Sequence, residues 1–216
     1  VRAKVDPSFV YKVGSRYVNT VSKSKVRQAA TILDILPAEE TADKEQYESV
    51  VVSILLKDYD PTEYGENEHL SEAQLRLLDS TEISTDLFIS TYCQQILADG
   101  KREEYQIRYY MTVVPEQEAT YQGGMDKLVK VLQAGSKKEV AKMYQEDIRP
   151  GRLEFIVDAK GKVSEVGLIS TSGSEEVDNK MVQLIQESSS QWTAAKNAAG
   201  EPVGQQFVFS FGKMGC

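Results

Sequence analysis

The sequence is poor in the residues on which most enzymes and metal sites depend. It contains one histidine and two cysteines in 216 residues, and these show neither the spacing of zinc ligands nor a pairing of nucleophile and base. The histidine, His69, lies in a polar stretch that indicates an exposed loop. Gly123-Gly124 lacks the preceding strand and the Lys-Ser/Thr ending of a phosphate-binding loop. We therefore expect no catalytic residues, no metal site, no cofactor and no enzymatic activity.

Long apolar runs and an excess of positive charge are also missing. No run approaches the roughly 20 apolar residues that a membrane-spanning helix requires. Residues 1–120 carry 13 basic and 21 acidic side chains and residues 121–216 carry 12 of each, so the first part holds the whole net charge of −8. Because phosphate binding requires a basic face, this distribution argues against a nucleic-acid partner.

The first part of the chain has the pattern of an α+β domain of unknown role, which we place at residues 1–115. Pro115 begins the boundary between the two parts. In chain order the patterns predict a hairpin or bent strand over 9–18, a helix between Ser22 and Pro37, a charged linker over 39–48, a buried strand over 50–56, a short helix capped by Ser71, and strands over 83–93 and 105–113.

Two features of this part concern contacts. Tyr105 and Tyr109 fall on the side of their strand that we expect in the core, whereas Tyr110 faces the other side and is the tyrosine we expect to contact a partner. Cys93 falls on a buried strand face, and the sequence leaves open whether it forms a disulfide with Cys216.

The second part, residues 121–216, predicts a compact unit in the order helix, strand, strand, helix, strand. The first helix has an apolar stripe, and Asp158 to Gly161 supplies the turn between two strands. Ser172-Gly173-Ser174 precedes the second helix, and the last strand alternates aromatic with other residues. The apolar positions that define these elements are Met125, Leu128, Val129, Leu132, Leu153, Phe155, Val157, Val166, Leu168, Val177, Met181, Leu184, Ile185, Phe207, Phe209 and Phe211.

From about Tyr121 to Gly212 the chain resembles the C-terminal domain of TonB-like energy transducers of Gram-negative bacteria. The order and spacing of the matching residues make the resemblance specific, although each residue alone is a weak signal. They are Gly151, Phe155, Val157, Asp158, Gly161, Val163, Val166, Ser170, Ser172, Gly173, Val177, Asp178, Trp192, Gly200, Pro202, Val203, Phe209 and Phe211. With this resemblance the expected fold is α+β, with two small α/β sandwich-like domains and an antiparallel sheet in the second.

The resemblance implies a periplasmic domain that an upstream segment, absent from this chain, anchors to the inner membrane. It also implies that the last strand lies at a sheet edge and accepts a short segment, the TonB box, of an outer-membrane receptor by strand addition. Such binding supports the import of iron complexes or other nutrients. The implied partner-binding residues are Gln205, Gln206, Phe207, Val208, Phe209, Ser210 and Phe211.

Two alternatives stay open at the level of sequence. The same fold is compatible with a periplasmic adaptor or sensor ectodomain that binds another protein. The edge of the last strand is either free for a partner, covered by the first part of the chain, or paired in a homodimer.

Overall fold

A computed structural model describes residues 9–213 of the chain. The strands are β1 (Val10–Gly14), β2 (Thr20–Ser22), β3 (Lys44–Leu55), β4 (Thr62–Gly65), β5 (Asp86–Ile96), β6 (Arg102–Val114), β7 (Thr120–Tyr121), β8 (Pro150–Val157), β9 (Val163–Ser170), β10 (Trp192–Thr193), β11 (Ala195–Lys196), β12 (Pro202–Val203) and β13 (Gln205–Gly212). The α-helices are α1 (Lys23–Gln28), α2 (Ala38–Thr41), α3 (Glu72–Asp79), α4 (Met125–Val140) and α5 (Glu175–Glu187). Short 3₁₀ helices cover Ile32–Asp34, Gln145–Asp147 and Ser188–Gln191. The expected α+β class is confirmed.

The chain folds into two compact units. The N-terminal unit comprises residues 16–116, and the C-terminal unit combines the segment that ends at Ser15 with the residues from Gln117 onward. The expected division placed residues 1–115 together, but β1 pairs with β13 and so belongs to the C-terminal unit. Pairing between distant segments of a chain leaves no local signal in the sequence. The sequence patterns therefore predict two units that are each one continuous stretch.

The N-terminal unit is built on a five-stranded sheet in the order β2-β6-β5-β3-β4. The β2–β6 pair is parallel and the other pairs are antiparallel. The capping box expected at the start of α3 is confirmed, because the Ser71 hydroxyl accepts the Gln74 amide and the Gln74 side chain accepts the Ser71 amide. Apolar side chains from both layers form one core, including Val26, Ile32, Leu78, Val50, Val52, Leu87, Ile89 and Met111.

Two expectations for this unit are wrong. The helix that Ser22 caps ends at Gln28 rather than near Pro37, because the Asp34 carboxylate accepts the backbone amides of Ala30 and Thr31 and starts a separate turn. The stretch over 39–48 is not a linker, since it contains α2 and the first residues of β3. Within these first residues of β3, Tyr47 is buried and Lys44 and Glu45 are half-buried.

The C-terminal unit is a two-layer structure in which α4 and α5 pack on one face of a four-stranded antiparallel sheet. The strand order is β1-β13-β8-β9, and the principal elements follow the predicted order helix, strand, strand, helix, strand. The two helices approach closely at Gly135, where a Cβ atom would lie 2.5 Å from Cδ2 of Leu184. Phe155, Phe207 and Phe209 fill the space between the layers and are almost fully buried.

The turn between β8 and β9 forms as the sequence predicts. The Asp158 carboxylate accepts the backbone amides of Lys160 and Lys162, each at 2.8 Å. Gly161 has a φ of +71°, and a Cβ atom there would lie 2.8 Å from the carbonyl oxygen of Trp192. The backbone amide of Lys162 is the main cause that lowers the pKa of Asp158.

Other residues that carry the family resemblance also hold the fold together. The buried Asp178 carboxylate accepts the Ser172 amide at 2.9 Å and the Thr171 hydroxyl at 2.6 Å, which fixes the turn into α5. Trp192 is buried, donates its indole N–H to the Ser188 hydroxyl, and makes edge-on and tilted contacts with aromatic rings of the core. These residues therefore stabilise the fold, and the candidate binding surface lies elsewhere in the unit.

The Asp158 turn predicts a pH-dependent stability of the C-terminal unit. The folded-state pKa of Asp158 lies below its ordinary value of 3.8, so its contribution is present above that value and is lost as the pH falls through the folded-state pKa. We expect Asp158→Asn to lower the melting temperature at pH 7 and to have a shrinking effect below about pH 4. Fluorescence of Trp192, the single tryptophan, reports this transition.

Asp58→Asn, at an exposed position of the other unit, is the control. An equal effect of Asp158→Asn at all pH values would contradict the lowered pKa of Asp158 in the folded state.

Candidate partner-binding strand

The strand that the sequence marks as the binding strand lies inside the sheet, not at its edge. All eight residues of β13 pair with β8, and Val208 to Gly212 pair on the other side with β1. The expectation of an edge strand is therefore wrong for β13. The segment Val10–Gly14, from the other end of the chain, occupies the position that an added partner strand would take.

The side chains of β13 serve mainly the fold. Phe207, Phe209 and Phe211 are buried in the core of the C-terminal unit. Gln205 is also buried, and its side chain accepts the Ala119 amide at 2.8 Å and donates to Glu118 at 2.7 Å. On the opposite face Val208 is buried, while Gln206 and Ser210 are half-buried. Recognition along this edge therefore depends first on the backbone groups of β13.

Hydrogen-bond geometry shows which backbone groups face β1. The Lys213 amide donates to the Arg149 carbonyl, in register with the pairing of β13 and β8. In an antiparallel strand successive residues point their N–H and C=O groups to opposite neighbours. The odd-numbered residues of β13 thus bond to β8, and the backbone groups of Val208, Ser210 and Gly212 bond to β1.

One face of β1 is anchored in the core. Phe9, Tyr11 and Val13 pack against the apolar cluster of the C-terminal unit, whereas Lys12, between them, is exposed. The Tyr11 ring lies 6.2 Å from the ring of Phe209 and 5.1 Å from that of Phe9, measured between centroids. The alternation makes β1 a half-buried strand held by three apolar side chains and a short hydrogen-bonded ladder.

The Tyr11 hydroxyl reaches through this face to a buried polar group. It lies 2.8 Å from the hydroxyl of Ser136, a fully buried residue of α4. Ser136 donates its own proton to the Leu132 carbonyl at 2.7 Å, so Tyr11 is the donor in the Tyr11–Ser136 bond. Burial raises the pKa of Tyr11, and the bond to Ser136 opposes this shift.

Among the described residues, β1 and β9 are the two edge strands of this sheet. Leu168 and Ile169 of β9 are 45% and 53% exposed. However, the pairing of β9 with β8 has two register shifts, and Glu165 has a φ of +51°. Such irregularities interrupt the regular row of backbone groups that an added strand needs, so β9 is a poor template.

The structure also places the tyrosines and the histidine that the sequence analysis discusses. Tyr109 packs against the core as expected, but Tyr105 is 40% exposed. Tyr110 lies on the opposite face, where its ring contacts the rings of Tyr17 and Phe88. His69 is exposed as expected.

Cys93 is buried, with its thiol 3.6 Å from the Tyr105 carbonyl oxygen, and burial raises its pKa. The sequence leaves open whether Cys93 forms a disulfide with Cys216, and Cys216 lies outside the described residues. Between residues 9 and 213, no three His, Cys, Asp or Glu side chains are grouped so that they could hold a metal ion. Over the same range, no helix combines the length and the apolar character needed to cross a bilayer.

The sequence does not predict that β1 and Ser136 belong to the candidate site. The alternation of Phe9, Tyr11 and Val13 does indicate a strand with one apolar face, but it does not say which strand it joins. Ser136 follows Leu132 at a spacing of four, on the buried stripe of α4. A small polar residue at such a position signals a buried hydroxyl that requires a partner.

Comparison of the chain with models of known protein families, with curated protein sequences and with solved structures finds no match. The functional interpretation therefore depends on the geometry of β1 and β13 and on the sequence resemblance.

The pairing pattern predicts a selective change in hydrogen exchange. Tyr11→Ala removes the anchor of β1, so we expect the amides of Val208 and Ser210 to exchange faster by about one to two orders of magnitude. The amides of Phe207 and Phe209 should keep their protection, because they bond to β8. Residue-resolved exchange by NMR makes this measurement. Lys12→Ala, on the exposed face of the same strand, should change little; equal loss of protection at all four amides would contradict the pairing.

Proposed function

We propose that the C-terminal unit is a periplasmic protein-binding domain of the TonB-like type, which accepts an extended segment of an outer-membrane receptor on β13 in place of β1. The observation that carries this proposal is the seating of β1 itself. It demonstrates that the β13 edge accepts a short strand whose alternate side chains enter the core. A receptor segment would use the same backbone groups of Val208, Ser210 and Gly212.

The energetics of β1 suit an exchangeable strand. Each main-chain hydrogen bond contributes a net ~1 kcal/mol, and the paired segment is only five residues long. The apolar contacts of Phe9, Tyr11 and Val13 add to this but are incomplete, since all three side chains stay partly exposed. Because β1 is covalently attached, it competes at a high effective concentration. A partner's apparent affinity is therefore its affinity for the open edge multiplied by the fraction of molecules in which the edge is open.

The TonB-like assignment is supported by the architecture around this edge. The C-terminal unit has the order of helices and strands that the resemblance implies, with both long helices on one face of an antiparallel sheet. The residues that carry the resemblance, among them Asp158, Gly161 and Asp178, form the turns that this architecture needs. In this proposal an upstream inner-membrane anchor, outside this chain, links receptor binding to nutrient import.

A second candidate is a periplasmic adaptor or sensor ectodomain that binds another protein. The observation that favours it is the same paired edge, since an edge that is permanently covered by β1 cannot serve a receptor. In that case β1 is a fixed part of the sheet and the partner contacts another surface. The two candidates differ in whether opening the edge increases binding of receptor peptides.

We expect Tyr11→Ala to strengthen the binding of a TonB-box peptide to the full chain by about tenfold or more. The reason is that weaker docking of β1 raises the fraction of molecules with an open edge. Amide shifts during peptide titration give both dissociation constants. The ratio of these constants should match the ratio of the exchange rates of Val208 and Ser210 in the two proteins, because both report the same opening equilibrium.

Two controls apply. A scrambled peptide should cause no saturable shifts, and Lys12→Ala should bind the TonB-box peptide with the wild-type affinity. Absence of shifts at millimolar peptide in Tyr11→Ala, in a sample whose Val208 and Ser210 amides exchange freely, would rule out strand exchange at β13 and favour the adaptor.

A further inference from the structure

We propose that Ser136 is a specificity-determining residue, which selects a partner strand with a tyrosine at the position opposite Phe211. This inference rests on the proposed strand exchange and adds the chemistry by which one peptide is preferred over another. Its basis is the Tyr11–Ser136 bond, because the β1 segment shows which side chain the groove is built to receive.

The hydroxyl of Ser136 can satisfy only one kind of group. Its proton is already committed to the Leu132 carbonyl, so the side chain faces β1 as an acceptor. The residue is fully buried on α4, and the Tyr11 hydroxyl is its partner from the sheet. When β1 leaves, this acceptor needs a new donor, because a buried polar atom without a partner is unfavourable.

The geometry restricts which donor can reach it. The side chain opposite Phe211 must reach from the strand to α4, lie near the Phe209 ring, and end in a neutral donor. Phenylalanine fills the same space without a donor, and the ammonium group of lysine would be desolvated in apolar surroundings. Tyrosine meets all three requirements.

The other positions of the groove define the rest of the pattern. The residue opposite Phe209 is Val13, whose side chain packs into the core, so an apolar residue is expected there. The residue opposite Ser210 is Lys12, which is exposed, so this position tolerates any side chain. The favoured partner segment is therefore a strand of the form tyrosine, any residue, apolar residue, paired antiparallel to β13.

The test uses the full chain with Tyr11→Ala, which uncovers Ser136, and two peptides. One has the sequence of residues 9–15, Phe-Val-Tyr-Lys-Val-Gly-Ser, and the other has phenylalanine in place of its tyrosine. One neutral hydrogen bond predicts about fivefold tighter binding of the tyrosine peptide. A third peptide, with glutamine in place of its lysine, should bind like the first. Chemical shifts of the Ser136 and Val208 amides report occupancy of the subsite and of the strand edge separately.

Adding Ser136→Ala to Tyr11→Ala should reduce the preference to about onefold by removing the acceptor. The helix should persist, since the backbone amide at position 136 still bonds to Leu132 and alanine favours helix. Equal affinity of the tyrosine and phenylalanine peptides for Tyr11→Ala would overturn the subsite while leaving strand exchange intact. Failure of both peptides to shift the Val208 amide would instead overturn the strand exchange on which the subsite rests. The comparison of peptides requires no second protein variant, so it decides the matter even if the double variant does not fold.

Discussion

The structure of the C-terminal unit depends on one constraint, which is that a strand buried in the middle of a sheet must have its backbone groups paired on both sides. β13 carries the aromatic residues of the core, and β8 satisfies only its odd-numbered residues. Exposed and unpaired groups along the other side would form a template for uncontrolled association. β1 resolves this problem by pairing Val10–Gly14 with β13. In the proposed function a partner strand takes the same place.

In the proposed function, the binding properties of this edge follow from competition between β1 and the partner strand. The attached strand keeps the edge covered at rest, and a partner must offer backbone pairing plus side chains at least as suitable as those of β1. Selectivity then comes from the few side chains that leave the strand plane toward the helices. In this chain those are at the positions of Tyr11 and Val13, and the Ser136 hydroxyl of α4 bonds to the Tyr11 hydroxyl. Backbone pairing would supply affinity, and one buried hydroxyl would supply the choice between otherwise similar strands.

The sequence predicts the parts of this structure that are local. The turn at Asp158 to Gly161 and the capping box at Ser71 depend on neighbouring residues, and both form as expected. The predicted length of the helix after Ser22 is wrong, because the Asp34 turn begins a few residues after its start. The spacing of apolar residues alone does not reveal such a turn. The predicted position of β13 at the edge of the sheet is wrong for a different reason. Strand periodicity reveals which face of a strand is buried, but the identity of its neighbours is set by contacts between distant segments. The resemblance implies that a strand is added at β13, but it does not reveal that the chain supplies its own strand there.

Competition between β1 and the partner for one edge of β13 can be tested by locking β1 in place. Lys12 and Ser210 are directly opposite and their side chains lie away from the core, so Lys12→Cys with Ser210→Cys should form a disulfide across the pair. Cys216→Ser removes the terminal thiol, and Cys93 is buried. Peptide binding is then measured on the oxidised and the reduced protein. We expect no binding when the strand is locked and recovery of binding on reduction. Equal affinity in both states would mean that the partner does not use this edge.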